Sequence, residues 1–265
     1  VRTVALEDGT RAYCLKRYEA RVLAREVAAY LAHGIAVAPG DAIVDVGANI
    51  GLFALHVLRR CGGDAALYCV EPIPEIREVL RRNLAAARAV IVPWAIGRDP
   101  GLAEMTYFPR APGTSTSRPD GGGEDWPAVV RREARAHPRF GWAARALPPL
   151  VFRLAGRYLR GASRRVPCER HTLSELFEAY GLRRIALLKV DIEGDELDAL
   201  RGIRQEHWTG IGQVVAEVHD RARDLTAMAS LLEKQGLSRQ VVAPAAADST
   251  GCCTLYARRD EGISG

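Results

Sequence analysis

Apolar residues recur at helical spacing between residues 13 and 33, with Leu15, Val22, Leu23 and Val27 on one face, which predicts an N-terminal helix. Pro39-Gly40 breaks that pattern, and short apolar runs then alternate with amphipathic stretches. AIVDVG (42–47), ALYCVE (66–71) and VIVPWAIG (90–97) read as buried strands. IGLFALHVLRR (50–60) and IPEIREVLRRNLAAA (73–87) read as the helices between them. Strands that are apolar throughout and separated by helices indicate a parallel sheet covered on both faces.

The alternation stops near residue 109 and resumes near 167. Helices are expected at 172–181, 195–203 and 224–236, and strands at 185–194 and 213–219. SRQVVAP and CTLYARR at the end read as an antiparallel pair. The pattern therefore predicts one doubly wound α/β domain over 1–265, with an N-terminal helical segment at 1–40 and an insertion at 109–167.

Composition changes this picture in one place. The chain of 265 residues carries a formal net charge of +5, and only Lys16, Lys189 and Lys234 among its 37 cations are lysines. Between Arg118 and Arg170 there are twelve arginines and five acids, a net of +7, so the remainder is near −2. The excess charge thus belongs to the insertion, which reads as a solvated excursion, a lid over the active site, or a surface for an anionic membrane, a carrier protein or nucleic acid. No run approaches the ~18 apolar residues of a membrane span, and the first residues lack an apolar leader core. The six cysteines show no C-x-x-C spacing, and a chain of this length needs no disulfides, so free thiols and a cytoplasmic location are expected.

The sharpest local signal is VDVGANIG (44–51), a glycine turn between a strand and a helix. A dinucleotide fingerprint needs G-x-G-x-x-G. Here the pattern is Asp45-x-Gly47-x-Asn49-x-Gly51, which counts against NAD and a pyrophosphate. Glu71 ends the second strand twenty residues after Gly51, where an acid accepts hydrogen bonds from ribose hydroxyls, or is simply a solvated strand end. Trp94, Ala95 and Ile96 follow the third strand and stand where an adenine could be held, although plain core packing explains a lone Trp equally well.

With DVGANIG, the strand-end VEP and above all LLKVDIEGDELDALRGI followed by AEVH, the sequence resembles the FkbM family of S-adenosylmethionine-dependent methyltransferases. The resemblance runs over about 42–108 and 166–258. It implies a class I, Rossmann-like, mostly parallel seven-stranded sheet with a reversed last strand, and S-adenosyl-L-methionine as cofactor. Residue by residue, it implies that Asp45, Gly47, Ala48, Asn49 and Gly51 line the methionine and ribose and that Glu71 holds the ribose.

In an open α/β sheet the ligands sit beyond the carboxyl ends of the strands. Lys189, Asp191 and Glu193 share one face there, as do Glu217 and His219. Charges in such strands need partners, so Lys189 is expected to pair with Asp191, Glu193 or Glu217. Methyl transfer to a hydroxyl needs a general base, and Asp191 and His219 are the candidates, with His219 alternatively orienting a partner or capping a helix. A divalent metal held by Asp191, Glu217 and His219 is a subsidiary expectation. The functional expectation is O-methylation of a small-molecule hydroxyl, on a sugar, polyketide or other secondary metabolite, free or presented by a carrier protein or lipid-like. The class of acceptor rests on the resemblance alone. An RNA methyltransferase is the second reading, without the base-stacking modules that would favour it. A non-catalytic scaffold that binds a partner protein is the third.

Overall fold

The computed structural model describes residues 1–117, 127, 130, 131, 134, 141–144, 146–219, 221–244 and 252–260. Five central strands, β3 (Ala42–Val46), β4 (Ala66–Val70), β5 (Ala89–Val92), β9 (Leu187–Val190) and β10 (Gln213–Val218), run parallel. β11 (Arg239–Pro244) and β12 (Cys253–Arg258) complete a seven-stranded sheet of order β11-β12-β10-β9-β3-β4-β5, in which β12, the last strand among the described residues, is antiparallel to both neighbours. The order reverses between β3 and β9, which opens a crevice at the carboxyl edge.

Alternate residues of each strand feed opposite faces. Val44, Val46, Leu188 and Val190 join Leu176, Phe177, Met228 and Leu232 on one side, from the helices Leu173–Ala179 and Arg221–Lys234. Ile43, Leu67, Leu187 and Val215 join Tyr30, Phe53 and Val57 on the other, under the helix Leu52–Arg60. The expected strand–helix alternation and the antiparallel closing pair are therefore present.

Three expectations change. The segment from residue 13 does not begin as a helix: Arg2–Ala5 (β1) and Arg11–Cys14 (β2) form a hairpin, and the helix starts at Arg17 and ends at Glu26. Asp8-Gly9 supplies the turn, with Gly9 at φ 84° and the Thr10 amide donating to Asp8 Oδ1 at 2.9 Å. A tight 3-10 turn, Val27–Leu31, then continues the helix. The strand expected over 90–97 divides at Pro93, which lacks a ladder N–H; β5 stays in the large sheet and β6 (Ala95–Ile96) joins a second one. That second sheet also shows how the insertion is rooted. β7 (Gly101–Tyr107) pairs antiparallel with β8 (Arg164–His171), so the excursion leaves and returns through a two-strand ribbon. Its helix Pro149–Arg160 buries Phe152 and exposes Leu150, Leu154 and Tyr158. The acidic residues at 120, 124, 125 and 133 lie outside the described residues.

All six cysteines are free. Among the described residues, no helix is long and apolar enough to cross a membrane.

Candidate active site

The strand register fixes which residues meet at the carboxyl edge. Val215, Lys189, Asp45 and Cys69 are successive partners across β10, β9, β3 and β4. Two residues further along the same face come Glu217, Asp191, Gly47 and Glu71, so four separate sequence motifs arrive in one row. This row borders a cavity of about 1580 Å³. That is larger than the ~300–1,000 Å³ of ordinary small-molecule sites and leaves room for two ligands.

On the β3–β4 side the glycine turn is pressed against its neighbour. Gly47 has φ 77°, and a Cβ there would lie 1.8 Å from the Asp191 carbonyl oxygen, so no other residue fits. Asn49, at φ 49°, uses its side chain to accept the Ile50 amide at 2.7 Å, the local hydrogen bond that makes Asn tolerant of this conformation. The Gly47 and Ala48 amides donate to Val70 O, and the Asn49 amide donates to Glu71. The turn thus spends its amides within the protein and offers no nest for a phosphate. Glu71 also accepts the Ile73 amide at 2.8 Å. Burial pushes its pKa up to about 7, against the pull of those two amides and Arg77.

Of the expected cofactor residues, Gly47, Ala48, Asn49, Glu71, Trp94 and Ala95 border the cavity, and Ile96 borders it with them. Asp45 and Gly51 do not. Asp45 is 1 % exposed beneath the turn, where Lys189 Nζ lies 3.1 Å from its Oδ1. Gly51 tucks against Leu80, which a Cβ would meet at 2.7 Å. Both shape the turn from below and touch nothing in the cavity. Trp94 stacks on His171 with ring centroids 3.9 Å apart, so one of its faces is already covered.

On the β9–β10 side the residues pair with each other. Lys189 is buried and sits 3.4 Å from Asp191 Oδ2 while donating to Gly47 O at 3.0 Å. Its chief partner, Asp45, was not among those expected. Burial opposes the lysine charge, but Asp45, Asp191 and Glu217 outweigh it and raise its pKa above the usual value. Burial likewise opposes the Asp191 charge, and Lys189 and His219 overcome it, so this carboxyl stays below its usual range. At Glu217 burial and the neighbouring Asp191 outweigh His219 and Tyr30 and push it up to about 7.

His219 Nδ1 lies 2.9 Å from Glu196 Oε1, and Nε2 lies 3.4 Å from Glu193 Oε2. Burial works against its charge, yet these two carboxylates raise its pKa well above the usual value. An imidazolium flanked on both sides has no lone pair to accept a proton. Glu196 and Glu193 engage both ring nitrogens of His219, the arrangement expected of a histidine that orients its partners. The same contacts answer the metal expectation. The two candidate donor groups, Asp191-Glu196-His219 and Glu217-His219-Cys252, both depend on this histidine, whose ring nitrogens already face carboxylates. Asp191 is already held by Lys189 and Tyr30. Among the described residues these donors thus already have protein partners, and nothing beyond their grouping points to a metal ion.

Two contributors, Glu196 and Tyr30, were not singled out in the sequence, and a third, the GTSTSR loop at 113–118, reads there only as a source of hydroxyls for the cofactor carboxylate or substrate or as a plain polar loop. Glu196, 1 % exposed, folds the DIEGD loop around itself: its Oε1 accepts the Ile192 and Gly194 amides at 3.1 and 3.0 Å as well as facing His219. Tyr30 donates its single hydroxyl proton between Asp191 Oδ2 at 3.0 Å and Glu217 Oε2 at 2.8 Å. It continues the apolar stripe of Leu23 and Val27, which was its one available signal. The third is the strap at 113–117. Thr116 Oγ1 donates to Glu193 O at 2.9 Å and Ser117 Oγ to the Asp195 carboxylate, so this polar loop ties the start of the insertion to the site.

Comparison with known proteins places the chain in a family. The model of the methyltransferase FkbM domain matches residues 45–238. Methyltransferase sdnD of Sordaria araneosa is 32% identical over 239 residues, covering 84% of each chain. The 31-O-demethyl-FK506 methyltransferase FkbM of Streptomyces tacrolimicus is 30% identical over 245 residues, covering 90% of this chain and 89% of that one. A solved structure, precorrin-6y C5,15-methyltransferase of Geobacter metallireducens GS-15, overlaps 90% of this chain and 88% of its own at 10% identity, with a TM-score of 0.43. On the family match and these relatives, this chain belongs to the FkbM family of S-adenosylmethionine-dependent methyltransferases.

Proposed function

We propose that the protein transfers the methyl group of S-adenosylmethionine to a hydroxyl of a small-molecule acceptor, with Asp191 as general base. The observation that carries this reading is the row Glu71–Gly47–Asp191–Glu217 along one cavity. Glu71, which would hold the ribose, and Asp191, which would accept the proton, stand on either side of Gly47, each one strand away from it. The residues fit the cofactor chemically: the turn offers no phosphate site, as suits a nucleoside without phosphates, and the carboxylates of Glu71, Asp191 and Glu193 suit a cation. Glu71 would hold the ribose, Gly47, Ala48 and Asn49 the turn side of the cofactor, and Trp94 and Ala95 the base. When bound, the cofactor supplies a methyl group on an already electrophilic sulfonium.

The protein then has to align the acceptor, exclude water and take one proton. Asp191 is kept ionised by Lys189 and stands at the strand end that touches Gly47. The described parts of the insertion, including Ala144, Leu147 and Leu159, line the cavity and would cover it as a lid. The Streptomyces tacrolimicus relative is named for an O-demethyl substrate, which supports oxygen as the accepting atom. Natural-product acceptors and a reducing cytoplasm complete the reading, the latter supported by the free thiols.

The test is Asp191→Asn, assayed by mass spectrometry for label from methyl-labelled S-adenosylmethionine on hydroxylated acceptors. We expect turnover to fall by about 10²–10⁴-fold with cofactor affinity within a few-fold of wild type. Near-native turnover would remove Asp191 from the mechanism.

A further inference from the structure

The Tyr30 hydroxyl stands between two carboxylates but owns one proton, and this imbalance has a chemical consequence. With Glu217 ionised, Tyr30 donates to one carboxylate and turns a lone pair to the other. Once a second proton is present, both contacts become hydrogen bonds: one carboxyl donates to Tyr30, and Tyr30 donates to the other. The assembly is built to accept one proton and to hold it at either end.

We propose that Tyr30 is a proton relay that carries the acceptor's proton from Asp191 to Glu217. The proposal rests on the O-methyl transfer described above and adds where the proton goes. As the acceptor oxygen bonds to the methyl carbon, the carbon–sulfur electron pair stays with sulfur and the oxygen's proton passes to Asp191 Oδ2. Asp191 then gives that proton to the Tyr30 oxygen, and Tyr30 gives its own to Glu217 Oε2. Asp191 ends ionised, Tyr30 ends neutral, and Glu217 holds the proton until solvent removes it.

The direction follows from the surroundings. Asp191 has Lys189 Nζ at 3.4 Å and is a poor place to leave a proton, whereas at Glu217 burial and the neighbouring Asp191 outweigh the pull of His219. Glu217 is faced by Tyr30 from the 3-10 turn, Lys189 and Asp191 from β9, His219 on its own strand, Glu196 beyond it, and Tyr256 and Cys252 near β12. Burial and both carboxylates hold the Tyr30 pKa well above its usual value, so it passes protons as a neutral hydroxyl and never rests as a phenolate. Its ring is fixed against Phe53 at 5.7 Å, edge to face, with Lys189 Nζ 5.5 Å from its centroid. The relay thus has a rigid middle member.

Because Glu217 must be ionised to receive the proton, kcat should rise with pH through a group titrating near 7. Tyr30→Phe keeps the ring and removes the relay. We expect kcat to fall about 10–100-fold, the rise near pH 7 to disappear, and cofactor affinity to stay within about twofold. Glu217→Gln should lose the same pH dependence, which tests the idea again if Tyr30→Phe folds poorly. Carboxyl titration by carbon-13 NMR of the cofactor-free protein adds a readout independent of turnover: the Glu217 signal should titrate near 7 and move in Tyr30→Phe. An unchanged pH profile and an unchanged Glu217 titration in Tyr30→Phe would overturn the relay. A wild-type protein that methylates no hydroxyl, yet shows the coupled titration, would instead overturn the functional reading and leave the proton-sharing intact.

Discussion

Between Gly47 and Glu71 the cavity wall comes from one continuous strand–turn–helix–strand stretch, whereas the wall at Asp191 and Glu217 is assembled from segments far apart in the chain. Tyr30 reaches across 161 residues to Asp191 and 187 to Glu217, and Ser117 reaches 78 to Asp195. The first wall, which under the proposed function would hold the nucleoside, satisfies its backbone locally, amide by amide, and needs little from outside. The second, which would face the acceptor, is a set of carboxylates accommodated together because an N-terminal tyrosine, a buried lysine and a polar strap are brought to them. The strap ties to the second wall through Thr116 and Ser117, although its Gly113 also comes close to Asn49 of the first.

Lys189 joins the two halves, and removing it should have the largest effect. Lys189→Met leaves Asp45 buried without its cation and Asp191 without its closest one. Loss of one partner from a buried pair costs about 3–5 kcal/mol, to be read from urea denaturation. Adding Asp45→Asn should recover part of it; full stability of the single variant would show that the halves are not coupled through this residue.

Glu71→Gln should act on the nucleoside half alone. We expect cofactor affinity to fall about tenfold, the equivalent of ~1.4 kcal/mol, with stability nearly unchanged. Because the Glu71 carboxyl in the free protein titrates near 7, and ribose hydroxyls bind its ionised form better, wild-type affinity should strengthen as pH rises through 7. Calorimetry should find that dependence absent in the variant.

The smallest effect should be confined to the acceptor half. Ser117→Ala removes the hydroxyl that donates to Asp195 and loosens the strap over the DIEGD loop. The KM for the acceptor should rise about fivefold, roughly 1 kcal/mol for one partly exposed hydrogen bond, with cofactor affinity unchanged. A matching loss of cofactor affinity would erase the division between the halves.

This division also sorts what was legible in the sequence. Gly47, Asn49 and Glu71 announce themselves because a turn is a local object, and glycine or asparagine at φ above zero is written directly into residue choice. The K-V-D-I-E-G-x-E block announces a site as well, but not how it works. Glu196 looks like an ordinary first-turn acid of the helix Glu196–Arg201, and its role as anchor of the loop appears only when the backbone at Ile192 and Gly194 closes on it. His219 looks like a free base until Glu193, at φ 59°, leaves the strand and meets it. The early hairpin was written in Asp8-Gly9 but masked by the helical stripe that follows.

The sequence by itself determined the strand–helix alternation, the parallel sheet with its antiparallel closing pair, the glycine turn and the acid twenty residues beyond it. These follow from periodicity and from the φ values that particular residues permit, which act over a few neighbours. Only the tertiary structure decided that Asp45 pairs with Lys189 in the strand register, that Tyr30 bridges Asp191 to Glu217, that His219 lies between Glu193 and Glu196, and that the arginine-rich insertion grows from a ribbon at the cavity's rim. Those outcomes depend on which elements lie side by side and on how charge is shared in a buried space, and neither is encoded in any single stretch of chain.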